Sequence, residues 1–189
     1  MNGKSIYTSV IMAGFGGQGL MFIGKLLAYS AMKRGLHVTW IPSYGPEMRG
    51  GTANCTVVVS SEPIGSPVIQ KPESLIVMNN PSLEAFEPRL KAGGLLFLNA
   101  DLVTRPATRT DINVIALPAN DEAVRVGEHR AANMVVFGAY VARGGILSRD
   151  DVAAGLSGLF GEKAASKLEV NMKAFDAGVK YAQAAPARA

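Results

Sequence analysis

The chain has 189 residues, of which 48% are hydrophobic and 18% are charged, a composition typical of a single globular domain with a substantial core. Lysine and arginine exceed aspartate and glutamate by 19 to 15, and the basic residues form no run, which argues against a nucleic-acid-binding protein. Cys55 is the single cysteine, so an internal disulfide is excluded and this residue cannot hold a zinc ion or an iron-sulfur cluster by itself.

The first part of the chain predicts a β-α-β unit. Residues 5–14 form a β-branched, apolar run that ends at glycine, as a buried strand does. Helical spacing of apolar residues follows over 20–35, and 37–42 predicts a second strand. Two parallel strands joined in this way almost always form a right-handed crossover.

The rest of the chain predicts strands first and helices later. Strands are expected over 53–60, 74–79, 94–100 and 112–119. Helices are expected over Ser82–Arg89, Ala131–Arg143, Asp150–Leu159 and Glu162–Ala184, with Ser82 as an N-cap. We therefore expect an α/β fold, a single three-layer domain over 1–180 with a mixed, largely parallel sheet covered by helices, and a frayed tail over 181–189.

Gly14, Gly16 and Gly19 have the G-x-G-x-x-G spacing between a predicted strand and a predicted helix, with Gly17 and Gln18 inside the motif. Glycines there permit a tight turn, and the helix start presents free N–H groups to an anion. A dinucleotide site also needs a carboxylate at the end of the next strand. Residues 40–43 supply none, so a structural turn or another anionic group is favoured over a nicotinamide or flavin dinucleotide.

A second glycine-rich segment, "SYGPEMRGGTAN", runs from Ser43 to Asn54. Its glycines permit positive φ and its proline fixes one backbone angle, so the chain can turn sharply there. Its charged side chains, Glu47 and Arg49, either form an ion pair that braces the turn or contact a ligand at the carboxyl edge of the sheet. The candidate residues of this segment are Ser43, Tyr44, Gly45, Pro46, Glu47, Met48, Arg49, Gly50, Gly51 and Asn54.

No acid/base constellation is evident elsewhere in the sequence. His37 and His129 have no neighbouring serine or cysteine pattern, and Cys55 lies within an apolar run. We therefore assign no catalytic residue and no metal ligand to this chain. No run of about 20 apolar residues predicts a membrane span, and we expect a cytoplasmic protein that contacts neither membrane nor nucleic acid.

"GFGGQG" followed by "PSYGPEMRGGTANC" resembles the gamma subunits of 2-oxoacid:ferredoxin oxidoreductases, in particular the 2-oxoglutarate type. The resemblance continues through "NMVVFGAY" to "NMKAFDAG" and so covers most of the chain. Pyruvate-type relatives tend to carry a phenylalanine-glycine-proline-glutamate core in the second loop. The resemblance implies the fold of the third catalytic domain of pyruvate-ferredoxin oxidoreductase.

The same resemblance implies a multisubunit enzyme that oxidatively decarboxylates 2-oxoglutarate to succinyl-CoA and reduces ferredoxin. Thiamine diphosphate, Mg²⁺ and iron-sulfur clusters are then held by companion subunits, namely alpha, beta and a ferredoxin-like delta subunit, and the isolated chain is expected to be inactive and able to form a homodimer. The residue pattern agrees, because the sequence carries no thiamine-binding Gly-Asp-Gly motif.

On this basis Ser43–Asn54 is expected to face a partner subunit, with Arg49 drawn to an anionic group of coenzyme A or the 2-oxoacid and Glu47 fixing Arg49. A structural interface role for both glycine-rich segments is an equal alternative. Three other functions stay open: a subunit of a branched-chain 2-oxoacid or pyruvate enzyme, a stand-alone dinucleotide-binding oxidoreductase, and a non-catalytic interaction scaffold.

Overall fold

The structure is a computed structural model, and it describes residues 5–44, 52–161 and 165–184. The strands are β1 (Tyr7–Phe15), β2 (His37–Tyr44), β3 (Thr52–Ser60), β4 (Ser74–Val77), β5 (Leu95–Asn99) and β6 (Asn113–Leu117). The helices are α1 (Leu20–Lys33), α2 (Asn80–Phe86), α3 (Ala119–Arg125), α4 (Ala132–Gly144), α5 (Arg149–Phe160) and α6 (Ala165–Ala184), with 3-10 turns at Glu87–Arg89 and His129–Ala131.

The strands form one sheet in the order β2-β3-β1-β4-β5-β6. Strands β1, β4, β5 and β6 pair in parallel, whereas β3 is antiparallel to both of its neighbours. The predicted mixed, largely parallel sheet is confirmed. The predicted β-α-β unit is observed, with β1 and β2 parallel in one sheet, but the two strands are not adjacent, because β3 lies between them. The chain from β2 to β3 is too short for a crossover, so β3 folds back on β2 as a hairpin and then pairs with β1.

Helices cover the two faces of the sheet unequally. A large core of buried side chains joins one face to α1, α3, α4, α5 and α6. On the opposite face a smaller core joins β1, β4 and β5 to α2 and to the segment that follows β5. The expected three-layer α/β domain is confirmed.

Helices α4 and α6 cross at close range through two glycines. A β-carbon at Gly138 would lie 2.0 Å from the carbonyl oxygen of Phe175, and one at Gly178 would lie 1.8 Å from that of Val135. Since backbone atoms would block any larger side chain, glycine sets the separation of the two helices. The crossing brings Phe175 against Phe137, with ring centroids 6.1 Å apart.

Some predicted elements differ from the observed ones. Helix α3 was not predicted, because seven residues following a proline carry little periodic signal. Ser82 is not the N-cap of α2: Asn79 is, and its Oδ1 accepts from Ser82 N at 2.8 Å. The helix expected over Glu162–Ala184 is observed from Ala165, and it includes residues 181–184 of the predicted tail. Residues 185–189 lie outside the described residues.

A capping box starts α5. The Asp151 carboxylate accepts from Ser148 N at 2.7 Å and from Ser148 Oγ at 2.8 Å, and Arg34 Nε lies 3.6 Å from it. Burial of Asp151 favours its protonated form, but the hydrogen bonds from Ser148 and the charge of Arg34 outweigh burial and lower its pKa below the ordinary 3.8.

Candidate functional site

The glycine turn after β1 and the described ends of the second glycine-rich segment lie at the same part of the carboxyl edge of the sheet. Phe15, the last residue of β1, lies opposite Thr52, the first residue of β3, and Ala13 lies opposite Asn54. The "GFGGQG" turn leaves β1 at this point, and β2 ends at the same edge, where Tyr44 lies opposite Ala53. The sequence predicted that each segment follows the carboxyl end of a strand. The register of β1 with β3 shows that the ends of the two segments lie at the same part of that edge.

The structure describes the two ends of the second segment. Ser43 and Tyr44 end β2, and Asn54 belongs to β3. The other candidates lie outside the described residues: Gly45, Pro46, Glu47, Met48, Arg49, Gly50 and Gly51. The roles proposed for them therefore stay predictions.

Gln18 ties the glycine turn to the sheet. Its Oε1 accepts from Phe15 N at 2.6 Å, and its Nε2 donates to the Met78 carbonyl at 3.1 Å. A β-carbon at Gly14 would lie 2.3 Å from Gln18 Oε1, so glycine at 14 makes room for this bridge. The Gln18 side chain, predicted as a binding residue, contacts β1 and the end of β4.

Two helix N-termini lie next to this turn. Gly19 caps α1 in the left-handed conformation, with φ 75°, and no side chain caps the helix. Asn133, in the first turn of α4, donates from Nδ2 to the Gly19 carbonyl at 3.1 Å. Because the N-terminus of a helix carries partial positive charge, the α1 start favours an anionic group. Gly17, with φ 97° and no other atom within 4 Å of a β-carbon there, leaves the turn open beside it.

Sequence reasoning missed Asn133 and the exposed Arg130 three residues before it. The apolar helical run that starts near Asn133 was recognised, but nothing in the sequence places its first turn against a glycine 114 residues earlier. Arg130 is the cation of the 3-10 turn that leads into α4. It lies two residues before the start of α4, and its backbone N–H donates to the Glu128 carboxylate at 3.1 Å.

Ser43 and Asn54 lie on the other face of the sheet. Strand alternation places Trp40, Cys55 and Val57 on the face that α1 covers. Ser43 and Asn54 are opposite each other in the register and lie on the reverse face. The structure therefore brings the backbones of the two segments together at one edge. The side chains of Ser43 and Asn54 are separated from the α1 start by the sheet.

Beyond β4 the carboxyl edge is closed by its own hydrogen bonds. The Asp101 carboxylate accepts from the backbone N–H groups of Asn120 and Asp121, at 2.7 and 3.1 Å, at the start of α3. Asn99 Nδ2 donates to Asn120 Oδ1 at 2.8 Å. These polar groups already have partners, so they are not free to bind a ligand at this part of the edge.

Cys55 is enclosed between β3 and α1. Its Sγ donates to the Leu20 carbonyl at 3.6 Å, and a β-carbon at Gly24 would lie 2.5 Å from Sγ. Burial raises the pKa of the thiol to about 12, and the neighbouring Trp40 indole opposes this effect only in part. A thiol held in this state is a packing group, and it does not fit the role of a metal or cluster ligand.

Within the described part of the chain, no group of three or more His, Cys, Asp or Glu side chains is arranged to hold a metal ion. The same residues include no helix long and apolar enough to cross a membrane. Cys55 is the single cysteine and is enclosed, so the described residues do not fit an iron-sulfur cluster.

A family model shows which protein family this chain is related to. The model described as pyruvate ferredoxin/flavodoxin oxidoreductase matches residues 9–181. The chain belongs to this family. The sequence resemblance to its gamma subunits is confirmed by a solved structure of the keto/oxoacid ferredoxin oxidoreductase gamma subunit from Geobacter sulfurreducens, with a TM-score of 0.80 and 30% identity over 94% of this chain and 99% of that one.

Other members of the family are either similar in length or much longer. 2-Oxoglutarate synthase subunit KorC of Methanothermobacter marburgensis is 35% identical, over 88% of this chain and 92% of that protein. Ketoisovalerate oxidoreductase subunit VorA of Methanothermobacter thermautotrophicus is 35% identical over 92% of this chain, which spans 36% of the length of VorA. The solved 2-oxoglutarate:ferredoxin oxidoreductase from Magnetococcus marinus, with 2-oxoglutarate, coenzyme A and succinyl-CoA bound, has a TM-score of 0.84 and 25% identity, and this chain covers 32% of that one.

Proposed function

We propose that this chain is the gamma subunit of a multisubunit 2-oxoacid:ferredoxin oxidoreductase, in which it completes the assembly and shapes the pocket for coenzyme A and the 2-oxoacid. The observation that carries the proposal is that the glycine turn after β1 and both described ends of the second segment lie at one part of the carboxyl edge, where Phe15 pairs with Thr52 and Tyr44 with Ala53. Open α/β sheets bind ligands at this edge. The start of α1, which no side chain caps, lies at the same edge and favours an anion.

The chemistry of oxidative decarboxylation belongs to other subunits in this proposal. Thiamine diphosphate, Mg²⁺ and the iron-sulfur clusters are assigned to alpha, beta and delta chains. For the clusters, the reason is that Cys55, the single cysteine, is enclosed. Ferredoxin receives the electrons from those chains. The role of this chain is to bind and position an anionic group, with Gly16–Gly19 giving close backbone approach and Arg49 giving a charge-assisted hydrogen bond.

The arrangement of the strands argues against a stand-alone dinucleotide enzyme. In such enzymes the strand after the first helix lies beside β1, and its terminal carboxylate reaches the ribose. Here β3 separates β2 from β1, so the end of β2 is displaced by one further strand spacing, about 5 Å. Residues 40–43 carry no carboxylate either.

For the substrate we propose 2-oxoglutarate, which the name of KorC supports. The similarity to VorA, also at 35% identity, makes a branched-chain 2-oxoacid the specific competitor. The tagged chain, purified gently from its native host, should bring down companion subunits with coenzyme A-dependent viologen-reducing activity. Comparison of 2-oxoglutarate, pyruvate and 3-methyl-2-oxobutanoate names the substrate. Purification of the chain alone, or of a complex inactive on all three acids, would contradict the proposal.

The pocket role has a separate test in the assembled enzyme. Loss of one charge-assisted hydrogen bond costs about 1.5–3 kcal/mol, so Arg49→Ala should raise the KM for coenzyme A at least about tenfold. Lys180→Ala, an exposed lysine on α6, is the matched control and should leave KM unchanged. If Arg49→Ala assembles normally and keeps both its KM for coenzyme A and its turnover, Arg49 has an interface role only.

A further inference from the structure

The amino ends of the parallel strands form a pocket that the proposed function does not use. This amino-edge pocket has a volume of about 340 Å³ and lies between the starts of β1, β4 and β5 and the last turn of α4. Its lining includes Thr8, Glu73, Ser74, Lys91, Arg143 and Gly144. Ligand pockets range from about 300 to 1,000 Å³, so this one suits a small molecule. Tyr7 and Phe15 are the two ends of β1, which places the pocket about 25 Å from the glycine turn.

Hydroxyl groups replace apolar side chains where the α4 side of the sheet reaches this pocket. Val10 of β1 and Ile76 of β4 belong to the large core. Thr8 and Ser74 lie two residues earlier on the same strands, so strand alternation places them on the same face, and both line the pocket. The apolar core therefore ends at this edge in a floor that can form hydrogen bonds with a polar ligand.

Tyr140 brings a third hydroxyl to the wall of the pocket. Its side chain is completely buried, and its hydroxyl has no partner with hydrogen-bond geometry among the described residues. Gly144 lines the pocket one turn later on α4, and a β-carbon there would lie 3.9 Å from the hydroxyl-bearing carbon of Tyr140. Burial raises the pKa of Tyr140, and Thr8 and Glu73 are close enough to modify it. Since a buried hydroxyl without a partner is unfavourable, a ligand that reorients the Thr8 hydroxyl would give Tyr140 an acceptor.

The rim of the amino-edge pocket carries charges of both signs. Lys91 Nζ lies 3.1 Å from the Glu73 carboxylate, and the two side chains are 59% and 33% exposed. An exposed ion pair of this kind adds little stability, so each partner can exchange the other for a charged group of a ligand at little cost. Helix α4 ends at the pocket with Arg143 in its last turn, and the C-terminus of a helix carries partial negative charge. The pocket therefore offers partners for an anionic group and for a cationic group.

The backbone N–H groups around the pocket are already used within the chain. They donate to carbonyl groups as follows: Glu73 to Ser9, Gly93 to Asp111, Gly94 to Lys91, and Leu95 to Glu73. Phosphate sites in proteins depend on free backbone N–H groups, so the described part of this pocket does not suit a phosphate. A carboxylate and an ammonium group only 3.1 Å apart suit a small molecule that itself carries both charges.

We propose that the amino-edge pocket binds a small α-amino acid. Its ammonium group pairs with Glu73, and its carboxylate pairs with Lys91 and accepts a hydrogen bond from Thr8. Tyr140 then donates to the Thr8 oxygen from behind and so positions Thr8 for the ligand. The inference goes beyond the proposed function and does not depend on it, because no residue of the two glycine-rich segments contributes to this pocket.

Calorimetric titration of the full chain with each of the standard amino acids tests the ligand class. The amino acid that binds most tightly is then compared with two analogues, the carboxylic acid that lacks its amino group and the amine that lacks its carboxylate. Each analogue should bind at least about tenfold more weakly, because it leaves one charged group of the pocket without a partner. Binding of the carboxylic acid at full strength would identify a simple anion site and overturn the proposal. Absence of binding by every amino acid would overturn it as well.

Variants locate the ligand in the pocket. Glu73→Gln and Lys91→Met should each weaken binding at least about fivefold. Glu169→Gln and Lys173→Met, which break an equally exposed type of ion pair on α6, are the matched controls and should leave binding unchanged. Tyr140→Phe should weaken binding about threefold or more without loss of thermal stability in the free chain, because its hydroxyl has no partner there. Parent-strength binding in Glu73→Gln and Lys91→Met would place the ligand elsewhere and overturn the proposal, and parent-strength binding in Tyr140→Phe would contradict the role of its hydroxyl.

Discussion

The glycine that caps α1 allows a quantitative test of the geometry at the carboxyl edge. Gly19 has φ 75°, and a β-carbon there would lie 2.4 Å from Asn133 Nδ2, the atom that donates to the Gly19 carbonyl. Gly19→Ala therefore has two costs. Alanine in the left-handed conformation costs about 1–2 kcal/mol, and displacement of Asn133 from its hydrogen bond costs about 1 kcal/mol. We expect a total loss of about 2–3 kcal/mol in the free energy of unfolding.

The second cost should vanish once Asn133 is truncated. In an Asn133→Ala background, Gly19→Ala should cost only the backbone part, which leaves a coupling energy of about 1 kcal/mol between the two positions. Urea unfolding of the four proteins measures this cycle, provided that the dependence on urea is the same for all four. Gly17→Ala is the control, since its φ of 97° is also unfavourable for alanine but no other atom lies within 4 Å of its β-carbon. An equal cost of Gly19→Ala in both backgrounds, or the same coupling for Gly17→Ala, would refute the contact.

Three further predictions concern the scaffold. Gly178→Ala should destabilise the protein by about 3 kcal/mol, because its β-carbon would lie 1.8 Å from the Val135 carbonyl oxygen. Gly144→Ala should be near neutral, because the atom nearest to its β-carbon is 3.9 Å away. Thermal unfolding of both variants checks the difference in stability. Cys55 should resist alkylation at pH 8 in the folded protein and react fully in urea, as mass spectrometry would show; rapid reaction without unfolding would contradict its burial. Asp151→Asn should lower the melting temperature at neutral pH. The lowered pKa of Asp151 gives stability that is present above the unfolded pKa and is lost as the pH falls through the folded pKa. The difference from the parent should therefore shrink as pH falls below 3.8, and a difference that persists in acid would contradict the assignment.

Local patterns in the sequence were sufficient for the elements with strong periodicity. The β-branched runs that became β1 and β3, and the apolar spacing of α1, predicted their type and approximate place. The position of β3 could not be predicted in the same way. The short connection between β2 and β3 is consistent with a hairpin. The register of β1 with β3, for example Ala13 opposite Asn54, shows in addition that β3 separates β2 from β1.

The candidate site was predictable to the same limited degree. Glycine spacing indicated a turn at Gly16–Gly19, because the conformations that such a turn needs are a local property. The partners of that turn are remote in the chain: Gln18 reaches the Met78 carbonyl, and Asn133 reaches Gly19. Contacts between distant segments depend on how the helices pack. Residue spacing within one segment carries no information about that packing.

The place of β3 between β1 and β2 has a consequence for the order in which the domain assembles. Tyr7 at the start of β1 and His37 at the start of β2 both lie opposite Ser60. During synthesis β1, α1 and β2 therefore leave the ribosome before the strand that joins them, and the pairing of both strands with β3 can be completed only after residue 60 has emerged.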